Sequence, residues 1–182
     1  IILMTICLVE SSPGAFEKLI VGCRQAGMGN AGVAAMNDPW VVFSNPSALS
    51  TVSEESVSFY YSPCLFGLPE LARAACSFAV PASPGTLALT VWGFGFDLYR
   101  ELTLTASYGV QLHQGLLAGV NINYHHLRIR NYGSGSAIGL DAGMQVALSD
   151  DVQWGCVACN INGPAITRSQ DKLPQVLATG VL

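Results

Sequence analysis

Three groups of residues in this chain have types and spacings that could support chemistry. Residues 27–32 read GMGNAG, the G-x-G-x-x-G pattern that holds a dinucleotide when a strand precedes it and a helix begins at it. Cys156 and Cys159 have the C-x-x-C spacing of zinc knuckles and redox pairs. His125 and His126 are adjacent and could offer imidazole ligands to a metal. The elements that must position these groups decide whether the chemistry is available.

The glycine pattern lacks the surroundings of a nucleotide site. Residues 22–26, GCRQA, place Arg and Gln where the preceding strand should end. Glu54 and Glu55 stand at about the distance of the acidic residue that binds a ribose, but nothing after residue 55 alternates strand and crossover helix. We therefore interpret the glycines as a turn in which backbone packs closely.

Strict alternation of apolar and polar residues predicts long strands after residue 55. In residues 101–113 the apolar residues fall on one face and the polar residues on the other, and residues 115–126 and 136–150 repeat this pattern. The first of these strands is expected to point Leu102, Leu104, Tyr108 and Val110 outward, and Thr103, Thr105 and Ser107 inward. Less regular strands are predicted at 55–62, 72–81, 86–97, 151–162 and 173–182, which gives about eight strands in all.

The cysteine and histidine pairs fall on predicted strands, where successive side chains point to opposite faces. Cys156 and Cys159 are three residues apart and His125 and His126 are one apart, so the two side chains of each pair are expected on opposite faces of the sheet. Six cysteines in an exported protein could also oxidise, and their spacing leaves the pairing open. His125 falls on the polar face, where it could line a pathway, although a satisfied polar role is expected. With no G-x-S-x-G elbow and no paired carboxylates, we predict no catalytic residue, metal or cofactor, and hence a protein that is not an enzyme.

The composition favours a membrane β-barrel. Charged residues make up 11% of the 182 residues, against about 25% in a typical soluble domain. Hydrophobic residues make up 51%, yet no stretch approaches the roughly 18 continuous apolar residues of a membrane helix. The polar faces carry Gly, Ser, Thr, Asn and Gln, which suits a filled lumen, with the lipid bilayer as partner of the apolar face. A soluble β-sandwich with the same alternation is the alternative, and the net charge of −4 gives no support to nucleic-acid binding.

The chain divides into three predicted parts. Residues 1–15 begin with the apolar run IILMTICLV and continue with small and polar residues, which resembles part of a secretory signal peptide; a short N-terminal strand or core segment is the alternative. Residues 16–54 form an N-terminal segment, and residues 55–182 form a partial barrel. The chain ends in ATGVL without a terminal aromatic residue, so further C-terminal strands are expected.

Residues 22–50, GCRQAGMGNAGVAAMNDPWVVFSNPSALS, resemble the N-terminal segment of the long-chain fatty-acid transporter (FadL) family of outer-membrane proteins. They resemble the PorV/PorQ family, associated with type IX secretion, more closely. The matching residues are Gly22, Arg24, Gly27, Met28, Gly29, Ala31, Asp38, Pro39, Asn45, Pro46 and Leu49. Residues 94–101, 160–165 and 172–180 resemble later strands and loops of that group. The cysteines, such as Cys23, depart from the pattern, and the barrels of the family have more strands than this chain supplies.

The resemblance implies an outer-membrane barrel of a Gram-negative bacterium in which residues 16–54 form a hatch inside the lumen. Its function would be transport of a hydrophobic small molecule or a secretion-associated role with secreted proteins as partners; a structural or adhesive surface protein is the alternative. The residues Asp38-Pro39 and Asn45-Pro46 are turn or helix-boundary signals, which a surface loop would also use. Arg24 could hold a carboxylate head group, or pair with Asp38 or a backbone carbonyl. The hatch and ligand candidates are Arg24, Gly27, Met28, Gly29, Asp38, Pro39, Trp40, Phe43, Asn45 and Pro46, with Val42 bordering the same pocket.

Overall fold

A single antiparallel sheet makes up most of the molecule. The computed structural model describes the backbone of residues 4–9 and, in full, residues 15–16, 21–64, 66–166 and 172–182. The strands are β1 (Met4–Val9), β2 (Ser56–Ser62), β3 (Arg73–Ala82), β4 (Gly85–Gly95), β5 (Tyr99–His113), β6 (Leu116–Ile129), β7 (Gly133–Ser149), β8 (Val152–Cys159) and β9 (Val176–Val181). Their order is β1-β9-β8-β7-β6-β5-β4-β3-β2. No hydrogen-bonded pairing between described residues joins the edge strands β1 and β2, so the sheet is not closed into a barrel.

The eight predicted strands are confirmed as β2 to β9. The alternation in residues 101–113 corresponds to β5, and the alternation in residues 136–150 corresponds to β7. Both strands begin two or three residues before the predicted start, because pairing with the neighbouring strand begins before the first alternating residue. Because the sheet is open, the closed transmembrane barrel stays a prediction.

The first residues of the chain add a ninth strand. β1 pairs with β9, with Met4 opposite Val181 and Val9 opposite Val176. A strand here agrees with the alternative to a signal peptide, and the signal peptide stays a prediction. Of the predicted signal segment, residues 1–3 and 10–14 lie outside the described residues. So do residues 17–20 of the segment 16–54, for which we keep the name hatch as a label only.

The helices are short and lie almost entirely in the hatch. They are α1 (Cys23–Gly27) and two 3₁₀ helices, Pro39–Phe43 and Pro46–Thr51; a third 3₁₀ turn, Pro69–Leu71, follows β2. Among the described residues, no helix is both long enough and apolar enough to cross a membrane.

The polar face of the sheet is buried and the apolar face is exposed, which inverts the polarity of a water-soluble sheet. On β5, Thr103, Thr105 and Ser107 are buried, whereas Leu104 is 39% exposed. On β6 the buried residues are Asn121 and Asn123, while Ile122 between them is 55% exposed. The same holds across the sheet for the exposed apolar residues Phe59, Phe78, Leu87, Leu89, Val91, Val120, Ile138, Leu140, Met144 and Leu177, and for the buried polar residues Ser77, Thr86, Thr90, His125 and Gln145. The faces expected from the alternation in residues 101–113 are therefore the faces observed.

The hatch covers the polar face and supplies half of the buried apolar residues that the structure describes. Val41, Val42, Ala48 and Leu49 of the hatch pack against small residues of β3 and β4. A second cluster joins Val21 and Trp40 to Ala75 and Trp92 of the same strands. Because the sheet offers small or polar side chains on this face, the hatch brings the bulk that fills the space.

Candidate functional site

Two capped turns position the centre of the hatch. The Oδ1 atom of Asp38 accepts a hydrogen bond from the backbone N of Trp40 at 2.9 Å, and Pro39 follows as the first residue of the 3₁₀ helix. In the same way Asn45 caps the next 3₁₀ helix: its Oδ1 accepts from the backbone N of Ser47 at 3.2 Å and from Ser47 Oγ at 2.7 Å. A side-chain cap followed by proline satisfies free N–H groups and fixes φ at a helix start. The predicted boundaries at Asp38-Pro39 and Asn45-Pro46 are confirmed.

Asn45 also ties the hatch to the sheet. Its Nδ2 atom lies 2.9 Å from the carbonyl oxygen of Val33, 3.2 Å from that of Met144 on β7 and 3.4 Å from that of Cys156 on β8. Two amide hydrogens are shared among these three acceptors. The side chain is fully buried, so loss of these bonds removes hydrogen bonds that bulk water cannot replace.

Two further amides hold the hatch on the sheet. Gln145 on β7 is fully buried, and its Nε2 atom donates to the carbonyl oxygens of Val33 at 2.9 Å and Ala35 at 3.3 Å. Asn121 on β6 donates through Nδ2 to the carbonyl oxygen of Val42 at 2.9 Å. Polar side chains of the sheet therefore provide hydrogen-bond donors for backbone carbonyl groups of the hatch. In helices and strands such carbonyl groups are paired with backbone N–H groups instead.

A row of three glycines lets the hatch backbone touch the sheet. Gly109, Gly119 and Gly143 lie directly opposite one another on β5, β6 and β7; we call them the glycine row. A Cβ atom on Gly119 would lie 2.4 Å from the carbonyl oxygen of Pro46. On Gly143 it would lie 2.0 Å from Asn45 Oδ1. Glycine in a strand interior commonly marks such a close approach of backbone.

A cavity of about 110 Å³ remains between the hatch and the sheet. The apolar part of its wall comes from both sides, with Val21, Val42 and Phe43 from the hatch and Trp92 and Val176 from the sheet. The polar part comes from the sheet and from the turn after β8, and comprises Thr103, Thr105, Asn121, Asn123, His125, Asp141 and Asn160. The cavity thus joins an apolar surface to a hydrogen-bonding surface, as ligand sites commonly do.

Asp141 on β7 is the centre of the polar wall. Its Oδ2 atom accepts from Asn121 Nδ2 at 3.1 Å and from Asn123 Nδ2 at 2.8 Å, and its Oδ1 atom accepts from the backbone N of Asn160 at 2.9 Å. Thr105 Oγ1 donates to Asn123 Oδ1 at 2.8 Å, which fixes the orientation of that amide. Three N–H groups hold the carboxylate, and none of the described residues lining the cavity is a lysine or an arginine.

The predicted candidates divide between this site and its supports. Phe43 and Val42 line the cavity, and Trp40 packs behind it against Trp92. Arg24 is exposed and donates from Nη1 to the carbonyl oxygen of Met36 at 2.7 Å, which is the backbone alternative and not the pair with Asp38. Met28 follows α1 and is not among the described lining residues.

The GMGNAG residues differ from a nucleotide turn and, in part, from a closely packed turn. Helix α1 comes before these glycines and ends at Gly27. A Cβ atom on Gly27 or Gly29 would meet nothing within 4 Å, so close packing is wrong there. It holds at Gly32, where a Cβ atom would lie 1.8 Å from Gln25 Oε1. Gly29 needs glycine for another reason, since its φ of 61° is in the left-handed region.

The histidine and cysteine pairs separate as predicted. His125 lines the cavity, while His126 stacks on Tyr124 of the outer face with 6.4 Å between ring centroids. Cys159 lines the cavity, and Cys156 alternates with the buried Val157 and so lies on the other face. Within the described residues no three His, Cys, Asp or Glu side chains group as a metal site. The described cysteines, none of them in a disulfide, are Cys23, Cys64, Cys76, Cys156 and Cys159.

Four residues of the polar wall were missed by reasoning from the sequence: Asn121, Asn123, Asp141 and Asn160. A signal for three of them was present. Asn121 and Asn123 occupy successive inward positions in NIN, and Asp141 is the charged inward position in a strand of glycine and alanine. Asn160 follows β8 in a turn, and only the fold brings it to Asp141. Comparisons of the chain with protein-family models, with curated proteins and with solved structures found no match.

Proposed function

We propose that this chain is part of an outer-membrane β-barrel of the PorV/FadL-like group, with the hatch in its lumen, and that it carries a small hydrophobic compound through the cavity. The observation that carries the proposal is the inverted polarity of the sheet. Exposed apolar faces of this extent are unfavourable in water, where each Å² of buried apolar surface is worth about 25 cal/mol. The same faces are favourable against lipid, where the polar face must line a lumen.

Strand length and the borders of the apolar face support a membrane position. Strands β3 to β7 have 10 to 17 residues, and a tilted strand needs about 9–11 to cross a bilayer. At one end of the apolar face, Arg100 of β5 lies directly opposite Arg128 of β6. The aromatic side chains of Tyr124 and His126 lie next to this pair, on the side toward the middle of β6. Aromatic and basic side chains are typical of the lipid–water boundary.

The proposal requires partners for the edge strands. Unpaired backbone groups in hydrocarbon cost several kcal/mol each, so β1 and β2 must pair with further strands in the complete barrel. The resemblance of residues 22–50 to the PorV/FadL-like group also supports the proposal. It implies a hatch inside the lumen, and in the structure these residues cover the polar face of the sheet. The secretion-associated role rests on that resemblance alone, whereas the cavity favours transport.

The membrane position is tested by fractionation of cells that express the full-length protein. We expect the protein in the outer-membrane fraction, resistant to extraction by alkaline carbonate and released by detergent. A monodisperse protein in the soluble fraction without detergent would overturn the proposal. The hatch is tested separately by deletion of residues 21–52, which should let small sugars leak from proteoliposomes that the intact protein seals.

A further inference from the structure

We propose that the cavity binds a small amine, with its ammonium group beside Asp141 and its apolar body against the hatch, and that it rejects carboxylates. The proposal rests on the proposed function and names the chemical class of the compound that the site takes. It is carried by three observations: a buried acceptor without a partner among the described residues, a carboxylate with no lysine or arginine among the described lining residues, and aromatic rings in the same cavity wall.

The acceptor is the side-chain oxygen of Asn121. The residue is 4% exposed and lines the cavity, and its Oδ1 atom has no hydrogen-bond partner among the described residues. The amide orientation is fixed, because both partners of the other atom, the carbonyl oxygen of Val42 and Asp141 Oδ2, are acceptors and require the nitrogen. A buried acceptor without a partner costs free energy that a ligand donor would recover.

The carboxylate of Asp141 sets the charge of the ligand. Its neighbours in the structure are amide and backbone N–H groups, and the described lining residues include no lysine or arginine to balance its charge. A second carboxylate placed here would meet like charge in a partly buried site. Arg24, the candidate for a carboxylate head group, is exposed and bonded to Met36. An ammonium group supplies both the missing charge and the donor that Asn121 lacks.

Aromatic rings complete the site for a cation with an apolar body. Phe16, Phe43 and Trp92 all line the cavity, and the face of an aromatic ring attracts an ammonium group. Val42 and Val176 offer aliphatic surface. The volume of about 110 Å³ limits the ligand to a small compound with a single short alkyl chain.

The test compares three ligands of matched length: hexylamine, 1-hexanol and hexanoate. Each is titrated by calorimetry at pH 7 into the full-length protein in neutral detergent. We expect hexylamine to bind most tightly, 1-hexanol about tenfold more weakly, and hexanoate more weakly still. The substitution Asp141→Asn should abolish the tenfold preference for hexylamine over 1-hexanol, whereas Asp150→Asn, an exposed carboxylate at the end of β7, should leave that preference unchanged.

Equal binding of the three compounds, hexanoate binding most tightly, or no binding at all would overturn the inference. The comparison in the unmodified protein needs no substitution, so it stands even where Asp141→Asn does not fold. Failure of the inference is distinct from failure of the proposed function, because extraction from the outer membrane is measured without any ligand.

Discussion

The carbonyl group of Pro46 lies where a side chain on Gly119 would begin, 2.4 Å from the position of its Cβ atom. The hatch and the sheet therefore meet backbone to backbone at the middle of the glycine row. Any side chain at this position must displace one of the two, because neither neighbour is the flexible end of a side chain.

The substitution Gly119→Ala should loosen the hatch without preventing assembly of the sheet. Overpacking of this kind costs about 1–3 kcal/mol. Hydrogen exchange followed by mass spectrometry should show faster exchange in residues 39–51. The control is Gly93→Ala, since a Cβ atom on Gly93 would come no closer than 3.9 Å to the carbonyl oxygen of Glu101. Equal exchange in the two variants would contradict the backbone contact.

Two substitutions at Asn45 separate its roles as helix cap and as tie to the sheet. Asn45→Asp keeps the acceptor for Ser47 but replaces the Nδ2 donor by an oxygen that faces the carbonyls of Val33 and Met144. Asn45→Leu removes both roles. We expect both variants to leak small solutes from proteoliposomes, with more leakage for Asn45→Leu. Ser53→Leu, at an exposed position after the second 3₁₀ helix, is the control and should stay sealed.

The outer face offers a test that separates lipid from water. Ile122 and Leu148 are both exposed, at 55% and 63%, but Ile122 lies in the middle of β6 and Leu148 near the end of β7. An arginine on the lipid face costs about 2–4 kcal/mol at the midplane and about 0–1 near the interface. Ile122→Arg should therefore lower the yield of membrane-assembled protein much more than Leu148→Arg. Equal tolerance of the two would indicate that the face meets water.

Cysteine labelling tests the same face without new charge. Cys64 follows β2 and is exposed, whereas Cys76 is half-buried on the outer face of β3, between Phe59 and Val91 of the neighbouring strands. In proteoliposomes a water-soluble maleimide should label a variant that retains only Cys64. A variant that retains only Cys76 should react only after detergent is added. Rapid reaction of Cys76 in intact vesicles would contradict a lipid-facing position.

The strands could be predicted because their signal is local. The alternation at Leu102, Thr103 and Leu104 already separates the two faces, whatever lies on the neighbouring strands. Pro39 and Pro46 each follow a capping residue, and this local pattern likewise predicted the turns of the hatch.

The glycine row and the polar wall could not be predicted in the same way, because both depend on register. That Gly109, Gly119 and Gly143 become neighbours is decided by the turns between β5, β6 and β7, and a shift of one residue would send them to the other face. Asn160 reaches Asp141 only through the pairing of β7 with β8 and the turn that follows. The G-x-G-x-x-G pattern was the more visible feature of the sequence, yet two of its glycines make no close contact.

The bonds of Asn45 to Met144 and Cys156 span 99 and 111 positions of the chain, which sets an order for folding. The hatch is synthesised before β2 to β9, so its packing on β3 and β4 can form early, whereas its bonds to β7 and β8 must wait until those strands exist. Strands β2 to β8, by contrast, are each joined to the next as hairpins and can form from nearby residues. The position of Asn45 is therefore fixed only after β7 and β8 have formed, later than the hairpins between earlier neighbouring strands.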